Sequence, residues 1–248
     1  ADLRAQVPDG AAEVVYAVGG GLIHGAAKVL AGDLALPLVG VPTALTVDAF
    51  FTAAAGYREK GCVRYRDADP PGLLHVDFDL LAAAPAPLRA AGVCDVLSIA
   101  TGCWDWKMAH ERGRNPAWAP FQPWAHDVAQ AILDACLDCC EAAGRGDREG
   151  LKQLFDCLAL EVQLCNQIGH PRPEEGSEHA FAYSVENLVG HGLPHGDLVG
   201  PGIVEIARRQ GQDAGRLERA LRAAGVPLDS LPPDAVARTL ATLPEYVR

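Results

Sequence analysis

Five residues, Val14-Val15-Tyr16-Ala17-Val18, run directly into three consecutive glycines, Gly19-Gly20-Gly21, and an alanine-rich stretch from Ala26 to Leu30 follows. A short apolar run that ends at glycine reads as a strand, and the segment after it as a helix. A second run, Leu36-Pro37-Leu38-Val39-Gly40-Val41, reads as the next strand, ending at Pro42-Thr43, and Leu73 to Phe78 reads as a third. Strand, glycine turn, helix and strand in that order lead to a parallel sheet, because parallel neighbours need a crossover and this crossover is helical.

The pattern changes at Pro85-Ala86-Pro87. Beyond it, Val128–Ala143, Leu151–Ile168, Val204–Ala224 (interrupted by glycine) and Pro233–Leu243 read as helices, with Pro-rich loops over 113–123 and 170–176. The expected division is an α/β part over residues 1–84 and an all-α domain over 85–248, with a cleft between them.

Composition narrows the function. A formal net charge of -11 repels a phosphate backbone, so nucleic acid is excluded as a partner. No basic run suits an anionic membrane surface, no apolar run approaches the roughly 18–20 residues of a span, and Ala1-Asp2-Leu3-Arg4 lacks a signal pattern. The chain therefore reads as cytoplasmic. Its 8 cysteines sit mostly in apolar or helical stretches and read as small buried hydrophobes rather than disulfides.

Gly19-Gly20-Gly21 between a strand and a helix serves equally as a tight turn or as a place where backbone N–H groups approach a phosphate. A more specific set lies in the helical half: Asp95 in Gly92-Val93-Cys94-Asp95, His179 in Gly176-Ser177-Glu178-His179, and His195 before Gly196. Two imidazoles and one carboxylate fill three positions around a divalent ion and leave one for substrate or water. His24, His75, His110, His126 and His170 read as core or surface groups, and His191 is a minor competitor of His195.

These residues, taken with Val18-Gly19-Gly20-Gly21, Ala27-Lys28, Val41-Pro42-Thr43 through Asp48, Ala82-Ala83-Ala84-Pro85, Ala90-Ala91-Gly92 and Asp105-Trp106, resemble the metal-dependent (iron-containing) alcohol dehydrogenase and dehydroquinate synthase superfamily. The likeness is to the sn-glycerol-1-phosphate dehydrogenases in particular and runs to about Gly200. It implies that Asp95, His179 and His195 hold the metal (zinc first, with iron, nickel or manganese open). It implies that Gly19, Gly20 and Gly21 receive the pyrophosphate of NAD or NADP, that Thr43 borders the nicotinamide, and that Asp48 plays a catalytic part by contacting substrate hydroxyls. The implied fold is a truncated Rossmann-like parallel sheet followed by an all-α domain, with the N-terminal part of the nucleotide-binding domain missing. The implied reaction is NAD(P)-linked interconversion of a polyol phosphate and its ketone, of the glycerol 1-phosphate and dihydroxyacetone phosphate kind.

Leu22 and Gly25 depart from the family's serine or lysine and its following aspartate. Tyr183 stands where dehydroquinate synthases show another histidine, and Asp95 where they use glutamate, which points away from a sugar-phosphate cyclase or lyase. That chemistry and a non-catalytic remnant of the fold stay as the alternatives. A small phosphorylated or polyhydroxy substrate is expected, with Lys107, Arg112, Arg114 and Arg172 as candidate phosphate partners. An unpaired sheet edge leads us to expect a homo-oligomer. Glu178 reads either as an orienting partner of a ligand or as a helix-start residue. The CxxC of Cys136 and Cys139 reads as core packing, and Trp104, Trp106, Trp118 and Trp124 as packing between the two halves.

Overall fold

The computed structural model describes residues 3–8, 10–59, 62–190 and 192–246. Strand β1 (Val15–Gly19), helix α1 (Gly21–Leu34) and strand β2 (Leu38–Pro42) form the expected parallel unit, with Val15 opposite Leu38 and Gly19 opposite Pro42. Two further strands, β3 (Ala54–Glu59) and β4 (Cys62–Asp67), form an antiparallel hairpin that the sequence reading did not anticipate. Strand β5 (Leu73–Leu74) joins the parallel sheet on the far side of β2, giving the order β1-β2-β5. A small apolar layer of Ala17, Ala27, Ala31 and Leu38 seals α1 onto this sheet.

The third strand is shorter than expected, and the reason is local. Asp77 accepts hydrogen bonds at Oδ1 from the backbone N–H of Asp79 (2.9 Å) and of Leu80 (3.3 Å). An aspartate in that position caps a helix, so Phe78 begins helix α2 (Phe78–Ala82) instead of ending a strand.

From there the described chain is helical: α3 (Ala86–Arg89), α4 (Val93–Leu97), α5 (Ile99–Glu111), α6 (Pro123–Arg145), α7 (Arg148–Ile168), α8 (Ser177–Val189), α9 (His195–Gln210), α10 (Ala214–Ala223) and α11 (Pro233–Tyr246). This is the expected α/β layer followed by an all-α region. The glycine interruption in the Val204–Ala224 stretch is Gly211, whose φ of 73° closes α9.

Helix α7 shows how the core is built. Asp147 caps its start through the N–H of Gly150, and Gly169 at φ 81° ends it. Leu151, Leu154 and Leu158 recur at helical spacing and are fully buried; burying each contributes about 1.5–3 kcal/mol. The core extends through Leu45, Phe50, Trp106, Phe181 and Leu198, so the loop after β2 packs into the same interior as the helices. Cys94, Cys103, Cys136, Cys139, Cys140, Cys157 and Cys165 are all buried free thiols, which bears out their reading as packing groups.

The tryptophans do not act together. Trp106 is buried, its Nε1 donating to the carbonyl of Ala119, whereas Trp118 and Trp124 are 62% and 50% exposed. Only Trp106 is core; it packs within the helical region against Phe121 and His170. No helix among the described residues is long and apolar enough to cross a membrane.

Candidate metal centre

Three helices bring together residues that lie far apart in sequence. Asp95 lies on α4, His179 in the first turn of α8, and His195 is the first residue of α9. Close helix contact makes this convergence geometrically available. A Cβ at Gly202 of α9 would lie 2.9 Å from the carbonyl oxygen of Glu178, so α9 sits against α8 at a distance only glycine permits. The loop after β2 is tied to α4 by the N–H of Gly92, which donates to the carbonyl of Leu45 (2.8 Å).

One ligand atom from each of Asp95, His179 and His195 lies within 4.8 Å of the others. Nε2 of His195 is 3.2 Å from Oδ1 of Asp95. A tetrahedral ion with bonds of about 2.0 Å separates its ligands by about 3.3 Å, so this spacing fits a shared cation. The chemistry of the donors agrees. Oδ1 of Asp95 is buried and forms no aligned hydrogen bond, its neighbour being the His195 ring nitrogen, while Oδ2 accepts the backbone N–H of Asp48 (2.9 Å). The residues present therefore fit the metal that their pattern implies.

His179 is oriented from behind. Its Nδ1 hydrogen-bonds Oε1 of Glu178 (2.9 Å), which leaves Nε2 to meet an ion. Oε1 of Glu178 also accepts the N–H of Gly176 (2.6 Å), and Oε2 accepts the hydroxyl of Thr101 (2.7 Å). Glu178 thus fills both roles considered for it, ligand partner and helix-start acceptor. Burial pushes the His179 imidazole down, but the bond and charge of Glu178, with Glu175 and Asp95, raise it to about 9.

Asp48 faces the same cleft. Burial first, then the charge of Asp95, push its carboxyl up to about 7, against the pull of His179 and Lys28. Its loop is pinned by Lys28, a fully buried ammonium reaching from α1 to Ala49 O, Thr52 O, Thr52 Oγ1 and Ala54 O at 2.5–3.1 Å. Burial lowers the Lys28 ammonium to about 8, partly offset by Asp48.

A cleft of about 1920 Å³ is lined by Asp48, Asp95, His179 and His195 and also by Gly20 and Gly21 of the glycine turn. Gly21 donates its N–H to Thr46 Oγ1 (3.1 Å), and a Cβ there would meet Val47 Cγ2 at 2.1 Å. Gly19 accepts the N–H of Thr43 at its carbonyl (3.1 Å) and holds the strand end. Thr46, which the sequence reading did not single out, lines the cleft beside the turn. His24 is buried, with Nδ1 on the carbonyl of Gly20 and its ring edge-on to Phe50. His191 lies outside the described residues.

The cationic side chains expected for a phosphate lie elsewhere. Lys107, Arg112 and Arg114 are exposed around the end of α5, and Arg172 stacks over Trp118 at 5.5 Å. The arginines that line the cleft are already engaged: Arg58 with Glu186 (3.0 Å), Arg66 with Asp33 (2.5 Å), and Arg4 with the carbonyl of Val7 (2.9 Å).

Comparisons with known proteins bear on the fold and the family. The family model for iron-containing alcohol dehydrogenases matches residues 1–85. The chain is 31% identical over 210 residues to the glycerol-1-phosphate dehydrogenase [NAD(P)+] of Bacillus subtilis, covering 82% of this chain and 52% of that protein. It is 33% identical over 175 residues to the same-named protein of Bacillus licheniformis, covering 71% and 43%. The chain thus spans about half the length of these curated relatives. The fold is similar to that of glycerol dehydrogenase from Schizosaccharomyces pombe, with a TM-score of 0.67 at 18% identity, covering 98% of this chain and 72% of that one. In its sequence motifs, in the family model over residues 1–85 and in these relatives the chain is similar to the iron-containing alcohol dehydrogenases, and it shares their fold.

Proposed function

We propose that this chain carries the metal-binding and substrate-binding part of an NAD(P)-linked polyol oxidoreductase, and that its substrate pair is a polyol phosphate and the corresponding ketone. The observation that carries the reading is the convergence of Asp95, His179 and His195, with a buried carboxylate oxygen that forms no aligned hydrogen bond. Two imidazoles and a carboxylate suit a borderline ion such as zinc or ferrous iron. When bound, the ion supplies Lewis-acid polarisation of a hydroxyl or ketone oxygen, and the nicotinamide of NAD or NADP supplies or accepts the hydride.

The chain's own residues do the rest. Glu178 fixes the His179 ring, and the Asp48 backbone fixes the Asp95 carboxylate. The Asp48 side chain, on the cleft wall beside the centre, accepts hydrogen bonds from substrate hydroxyls. Gly20 and Gly21, which line the same cleft, let a pyrophosphate approach the start of α1. The curated relatives named above are glycerol-1-phosphate dehydrogenases, which supports glycerol 1-phosphate and dihydroxyacetone phosphate as the model pair.

The test is metal analysis of the purified protein and of His195→Ala, followed by fluorescence titration with NADH and NADPH. We expect one tightly held ion on this triad in the parent, none on it in the folded variant, and nucleotide binding to the parent. A folded His195→Ala protein that keeps this ion as tightly as the parent overturns the ligand assignment. Metal without nucleotide binding moves the protein to the cyclase or lyase class.

A further inference from the structure

Beside the metal centre lies a second group of carboxylates. Asp48, Glu161 and Glu174 each place an oxygen within 4.8 Å of the other two. Glu161 is 1% exposed, yet neither of its oxygens has a hydrogen-bond partner, and Oε2 of Glu174 has none either. The neighbouring Glu175 differs, since Oε1 accepts the hydroxyls of Tyr65 (3.1 Å) and Tyr183 (2.8 Å). Lys28 is near enough to act on Asp48, but its ammonium is spent on four oxygens of the 49–54 loop.

The placement of Glu161 sharpens the point. It continues the buried stripe of α7, at the position after Leu151, Leu154 and Leu158 and before Cys165. Leucine would serve packing there. A buried carboxylate without a donor is costly unless it is protonated or meets a cation.

We infer that Asp48, Glu161 and Glu174 form a second cation site, one that takes a hard divalent ion such as Mg²⁺, Mn²⁺ or Ca²⁺. Oxygen-only ligation selects that class of ion, in contrast to the imidazole-rich first centre. A bare ion fits better than an organic ammonium, because Asp48 and Glu174 line the cleft while Glu161 lies behind them, where only a small cation reaches. Asp48 joins the two centres: its backbone N–H holds Asp95 and its side chain belongs to the second group. An ion there brings positive charge to a cleft whose arginines are engaged, which is what an anionic substrate group needs. That consequence rests on the proposed function; the site itself does not.

The experiment strips the protein with a chelator, dialyses it against Mn²⁺ and measures bound manganese together with its electron paramagnetic resonance. We expect two ions per parent chain with spectral broadening from neighbouring spins. Glu161→Gln and Glu174→Gln should each retain one ion with an unbroadened spectrum, His195→Ala should retain one, and His195→Ala/Glu161→Gln none. Glu161→Gln conserves volume and removes a buried charge, so its fold, checked by circular dichroism in chelator, is retained; Glu174→Gln repeats the test at a second position. A parent that binds one ion, lost in His195→Ala and kept in Glu161→Gln, overturns the site. Loss of an ion in Glu161→Gln with none lost in His195→Ala sinks the first centre and leaves the second standing.

Discussion

Glu178 is the position at which the orienting role can be separated from simple charge. Its carboxylate receives His179 Nδ1 at 2.9 Å, the N–H of Gly176 at 2.6 Å and the hydroxyl of Thr101 at 2.7 Å. Glutamine keeps an acceptor oxygen for His179 and Gly176 and turns its amide toward Thr101, whose hydroxyl has a second acceptor in the carbonyl of Ser98 (3.1 Å). Glu178→Gln therefore preserves the ring orientation and removes the charge, and should weaken metal binding about tenfold, or about 1.4 kcal/mol. Glu178→Ala removes the orientation as well and should weaken it about a hundredfold. Alanine also leaves the buried His179 N–H and the half-buried Gly176 N–H without acceptors, at about 1–3 kcal/mol for the buried one. The assay is competition with a chromogenic chelator for metal affinity, with urea unfolding in excess chelator for stability. The reasoning fails if Glu178→Ala binds metal like the parent, or if both variants lose affinity equally, since geometry would then contribute nothing beyond charge.

Two other perturbations test the scaffold around the cleft. Lys28→Met leaves the oxygens of Ala49, Thr52 and Ala54 without their buried donor, and should destabilise the chain by about 3–5 kcal/mol while weakening metal binding through the loosened Asp48 loop; an unchanged urea midpoint refutes it. Gly21→Ala drives a Cβ into Val47, with 2.1 Å available, and should cost about 1–3 kcal/mol and displace the start of α1; a variant with parental stability and parental nucleotide affinity shows that the turn tolerates a side chain.

The three candidate ligands were legible because each is a chemically distinctive residue in a short motif, and because the motifs occur in family order. Their convergence was expected from the resemblance; the contact that allows it, α8 touching α9 at Gly202, has no local signature. The β3–β4 hairpin was missed although Val63-Arg64-Tyr65-Arg66 alternates as a strand does, because its partner Ala54–Glu59, with glycine at its centre, shows no such pattern. The strand read over Leu73 to Phe78 runs past Asp77, a helix-cap residue that marks where α2 begins. Glu161 had a readable signal too: a charge on an otherwise apolar stripe marks either an error in the helical phase or a buried group with a task.

Which acceptors stay unsatisfied follows from which elements meet at the cleft. Glu186 is matched by Arg58, Glu175 by two tyrosine hydroxyls, and Oδ2 of Asp95 by the Asp48 N–H. What remains unmatched here is Oδ1 of Asp95 at one centre, and Glu161 with Oε2 of Glu174 at the other. Uncompensated buried carboxylates oppose folding, so the helical core must carry that cost unless cations offset it. An ion that binds only the folded chain at a hundred times its dissociation constant adds about 2.7 kcal/mol, comparable to burying one more leucine. Under the two proposed ion sites, stability and metal occupancy are linked through the same atoms: the carboxylates that weaken the metal-free fold are the ones that would hold the ions.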